Sequence, residues 1–203
     1  QTGAGPGAPS PERAAHNKRQ QEVFDSAAEF FASPEASPPE VEATLDALAA
    51  RICEPSRPDA AFRVLDVGSG TGCLSRRYEG AAAGGADVTG VDLSPEMVKA
   101  ARAKGGTPTY VVADIVDYAA GYAGDLYDVV VFNACFGNIF DRGAALTAAA
   151  QVLAPGGRAV ITHPLGAAFV DELHERDASV VPAGLPRTLL DMEELVSEAP
   201  LTP

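Results

Sequence analysis

Val64-Leu65-Asp66-Val67-Gly68-Ser69-Gly70-Thr71-Gly72 decides how the rest of this chain is read. The apolar, β-branched run leading into Gly68 has the composition of a buried strand. It passes directly into three glycines separated by single residues, and a residue without a Cβ lets the backbone turn sharply and approach a ligand closely. A helix placed after such a turn presents N–H groups that have no partner within the helix. A purely structural turn would use the same residues, so the loop alone establishes only a tight bend.

Twenty residues beyond Gly72, Asp92 ends the run Val88-Thr89-Gly90-Val91-Asp92. A carboxylate at the carboxyl end of that strand can accept the protons of both hydroxyls of a ribose. Its competing role, capping a helix that starts at Pro95, is better filled by Ser94. A loop plus a ribose acid also serves a dinucleotide, so the glycine spacing has to separate the two. A dinucleotide fingerprint places its third glycine three positions after the second, where this chain has Cys73; Gly72 instead follows Gly70 by two. Asp66, two residues before the loop, puts a carboxylate inside a strand, where burial demands a partner.

Working outward, short β-branched runs alternate with glycine or helical stretches from residue 59 on, the pattern of a parallel sheet covered by helices. The predicted strands are 62–67, 87–92, 109–113, 127–133 and 158–163. The predicted helices are 72–82, 95–104, a short turn near Tyr118, 143–153, 167–176 and 189–198. Upstream, residues 55–59 read as a loop. One helix precedes it from Asn17, with Val23, Phe24, Ala27, Ala28, Phe30 and Phe31 at helical spacing until Ser33-Pro34. A second runs from Pro38-Pro39 to Glu54-Pro55, with Val41, Leu45, Leu48, Ala49 and Ile52 on one face. The Gly-, Ala- and Pro-rich start lacks periodicity. The chain therefore divides into a mobile tail over 1–16, a helical lead-in over 17–58 and an α/β domain over 59–203.

The Gly72 spacing and Asp66 resemble the first motif of class I S-adenosylmethionine-dependent methyltransferases. The resemblance extends over residues 62–165, through Val91-Asp92-Leu93-Ser94-Pro95-Glu96-Met97, Val112-Ala113-Asp114-Ile115, Tyr127-Asp128-Val129-Val130-Val131-Phe132-Asn133 and Leu153-Ala154-Pro155-Gly156-Gly157-Arg158. It implies an α/β, doubly wound, Rossmann-like and mostly parallel sheet, with S-adenosyl-L-methionine as cofactor. It also implies that Asp66 supports the loop and the methionine moiety, that Gly68, Ser69, Gly70 and Gly72 form the loop, and that Asp92 holds ribose. Leu93 and Met97 would flank adenine, Asp114 would accept from its amino group, and Ile115 would pack on the ring. Asp114 reads equally well as a helix cap. Ligands of open parallel sheets lie beyond the strand ends, so residues 133–138, starting with Asn133, should border the methionine end and the acceptor. The Asn-Pro-Pro-Tyr type of signature, by which amino-group methylating members often announce themselves, is absent from that stretch. The family's fold closes with strands 6 and 7, and no segment after residue 163 reads as either. The expectation is a sheet lacking its final strands, with the chain cut short or the exposed edge of strand 5 covered by a protein partner.

Fifteen Lys and Arg against 28 Asp and Glu give a net charge of −13, which argues against a nucleic-acid partner and for a small-molecule substrate. Arg13, Lys18 and Arg19 read as a solvated helix face. Three cysteines without a CxxC pair signal neither a disulfide framework nor a metal site. No apolar run approaches the roughly 20 residues that span a bilayer. The expectation is a soluble protein of a reducing compartment, cytoplasm or an organelle matrix such as plastid stroma, with the compartment itself not readable.

Methyl transfer from a sulfonium depends mainly on alignment, so no catalytic residue is obligatory. If a base serves, His163 at the end of strand 5 is the candidate, against a structural reading in which it bonds a neighbouring loop. His16 falls in the expected tail, His174 on a helix, and Cys135 reads as small apolar filler. Phe24, Phe30 and Phe31 either cover the cofactor or form a core stripe. Two functions follow: a methyltransferase acting on a small acceptor, or a catalytically inactive subunit that keeps the fold within a larger assembly.

Overall fold

The computed structural model describes residues 9–54, 61–197 and 199–202. The β-branched runs become five parallel strands: β1 (Phe62–Val67), β2 (Ala86–Asp92), β3 (Thr109–Val112), β4 (Tyr127–Asn133) and β5 (Leu153–Thr162). Their order is β3-β2-β1-β4-β5. The first strand in sequence, β1, therefore lies at the centre of the sheet between β2 and β4, where the winding reverses. That reversal opens a crevice beyond the carboxyl ends of β1 and β4.

Both faces of β1 are buried, as a parallel sheet requires. Leu65 and Val67 join Val130, Phe132, Leu146 and Ala149 in a core on one side. Phe62 and Val64 join Val129, Val131, Tyr78, Leu45 and Ile52 on the other. Alternation along each strand assigns its residues to the two cores.

The helices are α1 (Pro11–Ala32), α2 (Pro39–Ile52), α3 (Tyr78–Ala81), α4 (Pro95–Ala103), α5 (Ile115–Ala120), α6 (Arg142–Val152), α7 (Gly166–Arg176) and α8 (Leu189–Val196). The first starts six residues before the predicted Asn17. Ser10 caps it by accepting the Arg13 N–H at 3.2 Å, and Pro11 occupies the first helical position. Residues 11–16 of the expected tail are thus helical, while residues 1–8 and the loop expected at 55–59 lie outside the described residues.

Other boundaries moved for local reasons. The helix expected over 72–82 is a 3-10 turn (Ser75–Arg77) followed by the short α3, because Gly72 has a left-handed φ of +73° and cannot begin a helix. Asp114 caps α5 through Val116 N–H at 2.7 Å, which extends the expected turn into a helix. Strand β5 begins at Leu153 rather than 158, with a register shift against β4 between Tyr127 and Val129. Pro155 is tolerated because β5 pairs only with β4 and needs no second ladder. No strand follows β5 among the described residues. Instead Leu195, Val196, Ala199 and Leu201 pack against the core around α6.

Candidate functional site

The glycine loop is locked to the strand ends on both sides. Gly68 has φ +64°, and a Cβ there would meet the Cys135 Cβ at 2.5 Å. The loop after β1 and the loop after β4 therefore interlock, and only glycine fits the first. Gly70 has φ +53° with open space around it, so its requirement is backbone conformation alone. Asp92 reaches back to this loop: its Oδ2 accepts the Gly70 N–H at 2.8 Å and its Oδ1 the Ser94 N–H at 2.9 Å. Burial raises the Asp92 pKa despite these two backbone donors. Ser94, as expected, caps α4 by accepting Met97 N–H at 3.0 Å.

Asp66 is buried beneath the loop and accepts from the Ser75 hydroxyl at 2.5 Å. Burial pushes its pKa up to about 7, against the lowering effect of Ser75, and the Asp92 charge adds to the rise. At the end of β4, Thr162 Oγ1 donates to Asn133 Oδ1 at 3.0 Å. The next residue, Ala134, holds a left-handed φ of 56° and donates its N–H to Thr162 O at 2.9 Å. A non-glycine residue in that region is backbone strain placed at the mouth of the crevice.

Asp66, Gly68, Ser69, Gly70, Asp92, Leu93, Met97, Asp114, Ile115 and Asn133 all line one cavity of about 280 Å³. Gly72 does not; a Cβ there would collide with the Tyr110 hydroxyl behind the loop, so its task is the turn itself. His163 does not line the cavity either. Its Nδ1 accepts the Leu165 N–H at 3.1 Å, its ring sits 5.4 Å from that of Phe169, and burial lowers its pKa. The structure gives His163 the loop-bonding position; only its neighbour Pro164 reaches the cavity. Cys135 is held under Gly68, with its thiol on Val67 O at 3.0 Å and its pKa raised by burial, which removes thiolate character.

The opposite wall comes from the lead-in helices: Asn17, Gln20, Phe24 and Phe31 from α1, and Val41 and Leu45 from α2. Phe30 stays exposed. The solvated-face reading of Arg13 is corrected, since its guanidinium is mostly buried and pairs with Asp114 and, at 3.1 Å, with Asp117. Lys18 and Arg19 do remain exposed. His16, expected in the tail, has its Nε2 on Asn138 O at 2.7 Å. Among the described residues no Lys, Arg or His lines the cavity, while three carboxylates do.

These acceptors suit a ligand that carries positive charge, ribose hydroxyls and an amino-bearing base, and the glycine cradle suits close approach of its backbone-facing part. Residues 65–161 match the methyltransferase domain family. Over that stretch, just under half of the chain, the match supports a class I S-adenosylmethionine-dependent methyltransferase domain. Over 103 residues it is 42% identical to the ubiquinone biosynthesis O-methyltransferase of Xanthomonas axonopodis pv. citri, a stretch covering 49% of this chain and 41% of that protein. The chain thus spans less than half the length of that curated relative. Among solved structures, Synechocystis PCC 6803 magnesium protoporphyrin IX methyltransferase with bound SAH is 19% identical, with 90% of this chain and 88% of that one covered at a TM-score of 0.60. The complex of the Haloferax volcanii Trm112 methyltransferase activator with a methyltransferase gives 24% identity, 88% and 76% coverage and a TM-score of 0.67. At these identities the two structures establish the fold.

Proposed function

We propose that this chain transfers a methyl group from S-adenosylmethionine to a small organic acceptor that is uncharged or cationic. The observation that carries the reading is a single cavity whose strand-side wall holds three carboxylates and the glycine loop, whose helix-side wall is largely apolar, and which no cationic side chain lines among the described residues. When bound, S-adenosylmethionine supplies an electrophilic methyl carbon on a sulfonium. In this reading Asp66 supports the loop and the methionine end, Asp92 takes the ribose hydroxyls, and Leu93, Met97 and Ile115 hold the adenine ring. Asp114 accepts from its amino group, and Asn133 borders the methionine end. An anionic acceptor would enter a lining that carries three carboxylates, of which only Asp114 is ion-paired among the described residues, by Arg13 from outside the lining, and this disfavours it. An oxygen acceptor is supported by the likeness to the Xanthomonas O-methyltransferase, 42% identical over 103 residues.

The helix-side wall and Pro164 border the cavity opposite the glycine loop, so the protein's own contribution is to hold the acceptor along the line of attack. The inactive-subunit reading draws on a specific observation, the withdrawal of His163 from the cavity. Calorimetric titration with S-adenosylhomocysteine tests cofactor binding, and transfer of label from methyl-tritiated cofactor into a panel of phenols, amines and carboxylic acids tests activity. Binding with labelling of phenols or amines supports the proposal. Binding without any transfer favours the inactive subunit, and absence of binding removes the enzyme reading.

A further inference from the structure

One stripe of α1 is written at helical spacing: Arg13, just outside the cavity lining, then Asn17, Gln20, Phe24 and Phe31, which line it. Its first two members converge on one carboxylate about a hundred residues away. Asp114 Oδ1 accepts the Val116 N–H at 2.7 Å and pairs with Arg13, which also reaches Asp117 at 3.1 Å. Asp114 Oδ2 accepts from Asn17 Nδ2 at 2.9 Å. Each carboxylate oxygen offers about two acceptor directions. Both directions of Oδ1 are taken, and one direction remains on Oδ2. A second tie joins α1 to the other acid: Asp25 accepts from Ser94 Oγ at 2.5 Å, and Ser94 N–H donates to Asp92.

We propose that Arg13 and Asn17 are positioning residues of the cofactor site, fixing the Asp114 carboxylate so that its one open acceptor direction faces the exocyclic amino group of the bound base. This rests on the reading that the cavity takes S-adenosylmethionine. Arg13 does not touch the cofactor in this account; it acts through Asp114, by holding Oδ1 against the start of α5 so that Oδ2 alone is offered. A salt bridge that merely docks α1 would affect every ligand equally. A positioning role affects the choice of base.

The measurement compares S-adenosylhomocysteine with S-inosylhomocysteine, in which a carbonyl replaces the amino group, by calorimetry on the whole chain. The unvaried protein should prefer the adenine ligand, because the inosine carbonyl would face an acceptor. Arg13→Gln should cut that preference roughly tenfold, the worth of one buried hydrogen bond. Arg13→Lys should restore part of it, and Lys18→Gln, on the exposed face of α1, should leave it unchanged. Equal weakening of both ligands by Arg13→Gln, or no change, overturns the positioning role while leaving the methyltransferase reading in place. Failure of the unvaried protein to bind either ligand overturns both. Should Arg13→Gln not fold, Asp117→Asn removes only the outer contact and should lower the preference by a smaller factor; an unchanged preference there also counts against the proposal.

Discussion

Ser75 Oγ donates to Asp66 Oδ2 at 2.5 Å, tying the turn after the glycine loop to a carboxylate inside the central strand. That bond is the hydroxyl partner buried Asp66 needs, and it lowers the pKa that burial raises. The net value is about 7, against an ordinary 3.8. The folded state therefore binds this proton more tightly than the unfolded chain does. Between about pH 4 and 7 the unfolded chain has lost the proton and the folded chain keeps it, so stability falls as pH rises through that window and levels off above it. Asp92, also raised by burial, acts in the same direction. Without ligand, the thermal midpoint should be higher near pH 5 than near pH 8. Asp66→Asn should flatten much of that slope and raise the midpoint at pH 8; an undiminished slope in the variant would remove Asp66 as its source.

Gly68 and Gly70 make a matched pair for testing what the loop requires. Alanine at Gly70 meets nothing within 4 Å, so its cost should be that of a left-handed φ, roughly 1 kcal/mol. Alanine at Gly68 adds a 2.5 Å encounter with Cys135, so the loss should be larger, on the order of 2–4 kcal/mol. Cys135→Gly should recover part of the Gly68→Ala loss and none of the Gly70→Ala loss. Denaturant midpoints of the unvaried protein, the three single variants and the two double variants decide it, and equal costs at the two glycines would show that the interlock carries no weight.

The strands were legible because burial on both faces leaves an unbroken apolar run, and two of them, β1 and β4, lie at the residues the sequence predicts. The acids at their ends were legible because a carboxylate in such a run has few structural uses. What composition hid was the contribution of α1. Arg13 and His16 stand in a stretch whose Gly- and Pro-rich start suggests no structure, although Ser10-Pro11 is a cap followed by a first-turn proline. Their partners, Asp114 and Asn138, lie more than a hundred residues away, and no local pattern encodes such a pair. Aromatic spacing in α1 did signal a buried face, but only the packing shows that Phe24 and Phe31 face the cavity while Phe30 does not.

The absence of cations from the cavity lining predicts a charge preference that needs no knowledge of the acceptor. N-phenyl-1-naphthylamine and its 8-sulfonate share one ring system and differ by an anionic group. With S-adenosylhomocysteine present in excess, the neutral dye should bind at least about tenfold more tightly than the sulfonate, given a lining with three carboxylates and, among the described residues, no cation. Phe31→Ser should weaken the neutral dye by several-fold, which separates cavity binding from adsorption at the exposed Leu189 and Leu190. Tighter binding of the sulfonate would mean that a cation reaches the acceptor after all.

His163 gives the sharpest test of whether this site uses a base. A general base ordinarily contributes about 10²–10⁴-fold, and its loss changes the pH profile as well as the rate. Here Nδ1 is committed to Leu165 N–H, burial lowers the pKa, and the side chain does not line the cavity. His163→Gln should therefore lower methyl transfer by less than about tenfold, well short of a lost base, with the shape of the pH–rate profile retained. Its thermal midpoint should fall modestly, because the Leu165 N–H loses its imidazole acceptor where the loop turns into α7. A loss of two or more orders of magnitude with cofactor affinity intact, together with disappearance of an ionisation in the pH profile, would return His163 to the reaction and require the β5–α7 loop to swing it toward the acceptor.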